Sequence, residues 1–335
     1  MKRIQRTLCL TAVLMAMPFT AHAGSLSLPA GCAYEGKPVA GASVEPALME
    51  QITQKKSGLW NVFVSRTWKA LSGDGDASAG QLQRLAAIQK EKPCTRIMIS
   101  YPGLPLENAT RQQCIAGEYD RFYTAYALKL RDYGIVKPIM RVGWEWDIKT
   151  NKNMSVERDI TKASEFAACY RRIVSVMRAA YPQGDMVFDF NSSGQITREM
   201  LAAGYPGDDV VDIVSLEGYD NRVCTEQGRD PLDAECRWRR VQGFNDMVRD
   251  FARSHGKAMA FPEWGLWNDG AIGNENLLHI RRMCKYAKDP ANNVAYYVYF
   301  QSANYPAASL TVNARALDVY THECGINGWI APSSP

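Results

Sequence analysis

The chain has 335 residues, 46% of them hydrophobic and 22% charged, enough apolar material for one large core or two ordinary ones. With 39 basic against 35 acidic residues the formal charge is +4, and without Lys2, Arg3 and Arg6 it is +1. That near-neutral balance argues against a nucleic-acid binder and against a protein held on anionic membranes by a polybasic segment.

The amino terminus reads as a secretory leader. Lys2, Arg3 and Arg6 give it a basic start, residues 8–19 are mostly apolar, and Ala21-His22-Ala23 supplies a small-x-small cleavage pattern. The apolar run is shorter than the ~20 residues a spanning helix needs. Residues 1–23 are therefore expected to be a signal peptide. Residues 24–335 are expected to form one domain, because no linker, repeat or low-complexity tract divides them. A periplasmic or secreted location follows, with no membrane attachment after cleavage. Eight cysteines remain (Cys32, Cys94, Cys114, Cys169, Cys224, Cys236, Cys284 and Cys324), an even set of the kind that forms disulfides in exported proteins. Cys224 and Cys236 bracket one polar loop and are expected to pair. No CxxC pair or histidine cluster accompanies them, so neither metal nor other cofactor is expected. Nothing calls for an oligomer, and a monomer is expected.

Along the chain, short apolar runs alternate with amphipathic segments. Strands are expected over 61–65, 96–100, 138–142, 186–190, 210–216, 258–261 and 294–300, all nearly continuous in apolar character, as strands buried on both faces are. An eighth is expected between Ser65 and Arg96. Helices are expected over 81–90, 117–133, 238–254 and 276–287, and another carries Phe166, Tyr170, Ile173, Val174, Met177 and Tyr181 on one face. A doubly wound nucleotide-binding sheet would need a glycine-rich turn after an early strand, and none is present. The expected fold is α/β, a single-domain (β/α)₈ barrel stapled by disulfides.

Functional groups of such a barrel gather at the carboxyl-terminal ends of its strands. Those ends present Tyr101, Trp144-Glu145-Trp146-Asp147, Asn191, Glu217, Tyr219-Asp220, Glu263-Trp264 and Gln301. Two carboxylates facing each other across one cleft are the apparatus for cleaving a glycosidic bond. Glu145 and Glu263 close the fourth and seventh strands and qualify by position. Trp144, Trp146, Trp264 and Trp267 surround them in sequence, and flat aromatic faces suit sugar rings. Glu217 is a spare carboxylate and second choice for either role.

Three segments then carry a resemblance. IMRVGWEWD (139–147) resembles the acid/base segment of glycoside hydrolase family 26 and related clan A barrels. GKAMAFPEWGLW (256–267) resembles the nucleophile strand of that group, and YPGDDVVDIVSLEGYD (205–220) a third block ending near a tyrosine. The resemblance implies Glu145 as acid/base, Glu263 as nucleophile and Tyr219 as the residue that orients it. It also implies Trp144 and Trp264 lining the central subsite, and Asn191 and Asp147 contacting sugar hydroxyls. Arg141 either fixes a carboxylate beneath the site or forms an ion pair inside the barrel. Tyr101, Trp146, Asp220, Trp267 and Gln301 complete the expected substrate-binding set. Two positions depart from the mannan-cleaving pattern: Trp144 stands where histidine is usual, and Asp147-Ile148 where Asn-Gly is frequent. The implied activity is retaining, endo-acting hydrolysis of a β-linked polysaccharide, such as a mannan, a glucan or a bacterial exopolysaccharide. A non-catalytic glycan-binding protein for polysaccharide export and a transglycosylase on the same site are the alternatives.

Overall fold

Eight parallel strands close into a barrel. A computed structural model describes residues 39–53, 57–149, 152–267, 276–302 and 309–324. The expected signal peptide, Cys32 and most of the 267–276 loop and of the carboxyl-terminal tail lie outside the described residues. In chain order the strands are β1 (Val39–Ala42), β2 (Leu59–Phe63), β3 (Arg96–Tyr101), β4 (Ile139–Val142), β5 (Val187–Ser192), β6 (Ile213–Leu216), the short β7 (Gly218–Tyr219), β8 (Ala258–Gly265) and β9 (Val294–Tyr299). Each of β1 to β5 pairs with the next, β6 pairs with β8, β8 with β9, and β9 with β1, which closes the ring. β7 extends the rim beside the end of β8.

One expectation is corrected. No strand lies between Ser65 and Arg96; that span holds the helices α2 (Trp68–Leu71) and α3 (Asp76–Glu91). The missing strand is β1, Val-Ala-Gly-Ala, ahead of the others. Four small residues carry little β-propensity, so the run leaves almost no signal. Its glycine is required by packing: a Cβ on Gly41 would stand 2.5 Å from the Leu59 carbonyl oxygen. Glu145 and Glu263 still close the fourth and seventh barrel strands.

The helices wrap the barrel with their apolar faces inward. The long ones are α5 (Asp120–Asp132), α6 (Ala163–Ala180), α8 (Ala234–Ser254) and α9 (Leu277–Lys288). On α6 the residues Phe166, Tyr170, Ile173, Val174 and Met177 are fully buried, the face that the sequence period marks. Between described residues, the disulfides Cys114–Cys169, the expected Cys224–Cys236, and Cys284–Cys324 fasten this outer layer. No helix among the described residues is long and apolar enough to cross a membrane.

Side-chain alternation divides each strand between two environments. Val39, Leu59, Met98, Ile139, Ile213, Ala260, Tyr296 and Val298 form an apolar plug inside the barrel. Toward the carboxyl ends the lumen turns polar, with Asn61, Ser100, Arg141, Asp189, Asn191, Ser215 and Glu217 buried there. The outward residues, Met140 and Val142 of β4 among them, join the larger core beneath the helices.

Candidate active site

Arg141 organises the lumen. It is fully buried; its Nη1 donates to Glu263 Oε1 (2.5 Å) and to Ser100 Oγ (3.1 Å). Nε and Nη2 donate to Asn191 Oδ1 at 3.0 and 2.8 Å, and Nη2 also reaches Glu217. Burial alone would lower the pKa of this guanidinium, but Glu217 and Glu263 outweigh it, so the cation is held. Glu217 responds the other way. Burial pushes its carboxyl well above the ordinary range despite Arg141, and Oε2 has no hydrogen-bond partner among the described residues. It therefore leans toward the neutral acid, a group that balances charge beneath the site.

Glu263 reaches this cluster through a defect in the sheet. On β8, Phe261 pairs with Tyr297 and Trp264 with Tyr299, so three residues advance on one strand against two on the other. Phe261 packs outward on Tyr286 of α9. Strict alternation would send Glu263 outward too; the bulge turns it inward and sends Trp264 out. Pro262, which has no N–H to give a ladder, lies within it. Glu263 Oε1 then meets Arg141, and Tyr219 Oη donates to Oε2 at 2.9 Å. Burial raises the phenol of Tyr219 well above its usual range, so it stays a donor.

Glu145 is carried by a turn rather than a strand. Gly143 and Glu145 both adopt left-handed backbone, with φ of 59° and 50°. Gly143 also has no room for a side chain, since a Cβ would lie 2.8 Å from Met154. A glutamate at positive φ costs of order 1 kcal/mol or more and persists only where its surroundings fix it. Here the Glu145 N–H donates to Asn191 Oδ1 (3.2 Å), tying the turn to the same amide that holds Arg141. Asp147 anchors the far end, accepting from the Ser193 N–H (2.7 Å) and the Ser193 hydroxyl (2.5 Å).

Aromatic rings line the mouth. Trp144 meets Phe63 edge-on at 5.6 Å, Phe63 meets Phe300 at 6.4 Å, Phe300 meets Tyr219 at 6.1 Å, and Tyr219 meets Trp267 at 5.3 Å. Phe63, Phe300 and Trp267 keep part of their surface exposed. The Arg66 guanidinium lies over the Trp144 ring, 5.0 Å from its centroid, within the field of both Glu145 and Glu263. Phe63, Phe300 and Arg66 were not expected from sequence. Phe63 ends β2 and Phe300 directly follows β9, positions visible only once strand ends and facing are known.

Several expected sugar contacts point elsewhere. Trp146 is fully buried outside the barrel, stacked on Phe166 and Phe190. Trp264 is likewise buried, against Tyr299 and Tyr320. Tyr101 is buried among Tyr123 and Tyr126 and donates to the Leu71 carbonyl at 2.8 Å. Tyr101 follows the outward phase of β3, Trp146 leaves the lumen on the turn after β4, and Trp264 is sent out by the β8 bulge. Asn191 and Asp147 have their oxygens committed to the framework just described. Asp220 accepts from the Trp267 N–H (2.6 Å) and pairs with Arg237 (3.0 Å); burial lifts its carboxyl to about 6. Gln301 spans Ser309 (2.9 Å) and the Leu310 N–H (2.7 Å), tying the end of β9 to those two residues. These four side chains build the cleft rather than line it. Among the described residues one trio has metal-ligand spacing, Cys224, Glu226 and Cys236, and its two sulfurs are joined as a disulfide.

Comparison with known proteins bears on the fold. No protein-family model matches the chain, and no curated protein does. Solved structures do. Mannanase BCman of Bacillus subtilis superposes with a TM-score of 0.58 at 17% identity, covering 86% of each chain. The catalytic domain of a family 26 endo-β-1,4-mannanase from Bacillus sp. JAMB-750 gives 0.61 at 16%, again over 86% of each. A modular endo-β-1,4-mannanase of glycoside hydrolase family 26 from Cellulomonas fimi gives 0.62 at 15%, over 91% of this chain and 74% of that one. This chain has the barrel of family 26 mannanases, the family that its three sequence segments resemble.

Proposed function

We propose that this protein is an exported, retaining glycoside hydrolase that cuts within a β-linked polysaccharide. One observation carries the reading: both oxygens of Glu263 are engaged, by Arg141 and by Tyr219, at the mouth of a barrel whose fourth strand ends in the Glu145 turn. A carboxylate so held is fixed in place for attack on an anomeric carbon. Glu145 protonates the departing glycosidic oxygen while Glu263 bonds to the anomeric carbon, giving a glycosyl ester. Glu145, now a carboxylate, takes a proton from water as that water displaces Glu263 with a second inversion. The partly exposed rings of Phe63, Phe300 and Trp267 offer apolar surface to the sugars, with Trp144 buried behind them under Arg66. The family 26 structures with the same barrel are described as mannanases, which supports a β-glycan substrate.

Three disulfides support export, since such bonds persist in oxidising compartments. We assign residues 1–23 as a signal peptide and residues 24–335 as one catalytic domain acting as a monomer, without nucleic acid or membrane partners. The test is digestion of a β-glycan panel, scoring new reducing ends and reading the first-formed anomer by proton NMR. Products that appear first as the β-anomer support retention. An α-anomer would mean inversion and remove the nucleophile role from Glu263.

A further inference from the structure

The reading above leaves one charge at the mouth without a task. Arg66 follows the end of β2 and is half-buried, and its backbone carbonyl is held by the Leu106 N–H at 3.0 Å. Among the described residues its guanidinium makes no hydrogen bond or ion pair; its carbon lies over the Trp144 ring, 5.0 Å from the centroid, and in the field of Glu145 and Glu263. Stacking on a ring orients a guanidinium without using its N–H groups, because the donors lie in the plane and the π-contact is made by the face. Burial works against this cation, lowering its pKa, and the two carboxylates offset only part of the cost. At half burial water can serve this fork in the resting protein, and an anionic acceptor that arrives beside the reacting centre is a stronger partner for it than water.

The carboxyl groups point the same way. The reaction starts with Glu145 protonated, and burial drives Glu217 toward its neutral form. Glu263 is then the carboxyl group that Arg141 and Arg66 both face. Arg141 shares a direct hydrogen bond with it, whereas Arg66 meets Glu263 and Glu145 through their field alone.

We propose that Arg66 selects an acidic β-glycan, its guanidinium fork taking the carboxylate of a sugar bound on the Trp144 side of the cleft. This deepens the hydrolase reading and rests on it for the protonation state of Glu145. A planar carboxylate fits the fork two-pronged, which a hydroxyl does not. The carboxylate comes either from a uronic acid or from an acidic acyl substituent, and both present the same group.

The test compares β-1,4-mannan and β-1,4-glucan in four forms: neutral, partly oxidised at C6 to uronate, that oxidised polymer after carboxyl reduction, and O-succinylated. The readout is the ratio of kcat/KM on an acidic form to that on its neutral counterpart. Wild type is expected to favour at least one acidic form by about tenfold, the size of a charge-assisted hydrogen bond. Preference for the oxidised or for the succinylated polymer identifies the source of the carboxylate. The ratio should shrink with added salt, collapse toward one in Arg66→Gln, and be partly kept in Arg66→Lys. A wild-type ratio near one, or a ratio unchanged by Arg66→Gln, overturns the proposal. A uniform loss on every polymer in Arg66→Gln also overturns it, since Arg66 would then serve only to position the carboxylates. If wild type cuts nothing, the hydrolase reading fails, and affinity electrophoresis of the same protein decides this one separately. Retardation by an acidic polymer that Arg66→Gln abolishes supports it; equal mobility in acidic and neutral gels overturns it.

Discussion

Glu145 and Glu263 have nearly the same neighbours in sequence, Trp-Glu-Trp and Pro-Glu-Trp, yet they reach the cleft by different devices. Glu263 stands in a strand, turned inward by a bulge, with a donor on each carboxylate oxygen. Glu145 stands on a strained turn, and what is fixed there is its backbone, through Asn191 and through the Asp147–Ser193 latch. The difference matches the two tasks. A nucleophile works best immobile and ionised, whereas an acid/base must give up and regain a proton within each cycle. Support through the backbone fixes where such a group stands in the cleft.

The broadest way to break this comparison is to remove each carboxylate. Glu263→Gln should lower kcat by roughly 10⁴–10⁶-fold, as loss of a nucleophile does. Glu145→Ala should cost about 10²–10⁴-fold on a polysaccharide and much less on an aryl glycoside, whose leaving group needs no proton. Azide then separates the roles. With Glu145→Ala it should restore turnover of the aryl glycoside and yield the β-glycosyl azide, because the ester on Glu263 still forms. A β-azide from Glu263→Ala instead would exchange the assignments.

A smaller effect concerns the floor beneath both carriers. Burial raises Asp189 to about 6, while Tyr296 donates to its Oδ2 at 2.5 Å. A carboxyl whose folded pKa is raised keeps a proton that the unfolded chain has already lost, so stability falls as pH rises from about 4 to 6. Above that window the penalty is complete, roughly 3 kcal/mol at about 1.4 kcal/mol per pKa unit. Asp189→Asn removes the titration. Urea unfolding at pH 4 and pH 7 should show the variant gaining on wild type by up to that amount at the higher pH. Parallel stabilities across the range would mean that Asp189 is not desolvated as the lumen suggests.

The alternating apolar runs made the barrel legible, because strands buried on both faces have a composition that turns and surface helices lack. Val39–Ala42 escaped for the opposite reason: a strand of small residues pressed against Leu59 carries no bulk to notice. In the site, the strand ends pointed to Glu145, Tyr219 and Glu263, but facing was lost. Trp146 and Trp264 adjoin the two glutamates and look like sugar platforms until the turn after β4 and the β8 bulge send them under the helices. The β8 bulge, which decides that Glu263 and not Trp264 enters the lumen, leaves only Pro262 as a trace in the sequence. Phe63, Phe300 and Arg66 sit where sequence reading expects strand residues or loop, and only the closed ring brings them beside Trp144 and Tyr219.

The finest comparison removes a single hydroxyl from each carrier. Tyr219→Phe takes one donor from Glu263 and leaves its turn and strand untouched. Ser193→Ala takes one donor from Asp147 and loosens the latch of the Glu145 turn, leaving the Ser193 N–H in place. Glu263 keeps about a tenth of its side chain exposed, so water can replace the lost phenol hydroxyl in the resting protein. The oriented donor is lost all the same, and kcat should fall by about tenfold, one charge-assisted hydrogen bond, with little change in Tm. Asp147 is 1% exposed, and no water is at hand for its stranded oxygen. Ser193→Ala should therefore cost about 1–3 kcal/mol of stability, lowering Tm by several degrees, with kcat falling less than in Tyr219→Phe. The opposite pattern, a Tm loss in Tyr219→Phe and a purely kinetic defect in Ser193→Ala, would mean that the strand is the adjustable carrier and the turn the rigid one.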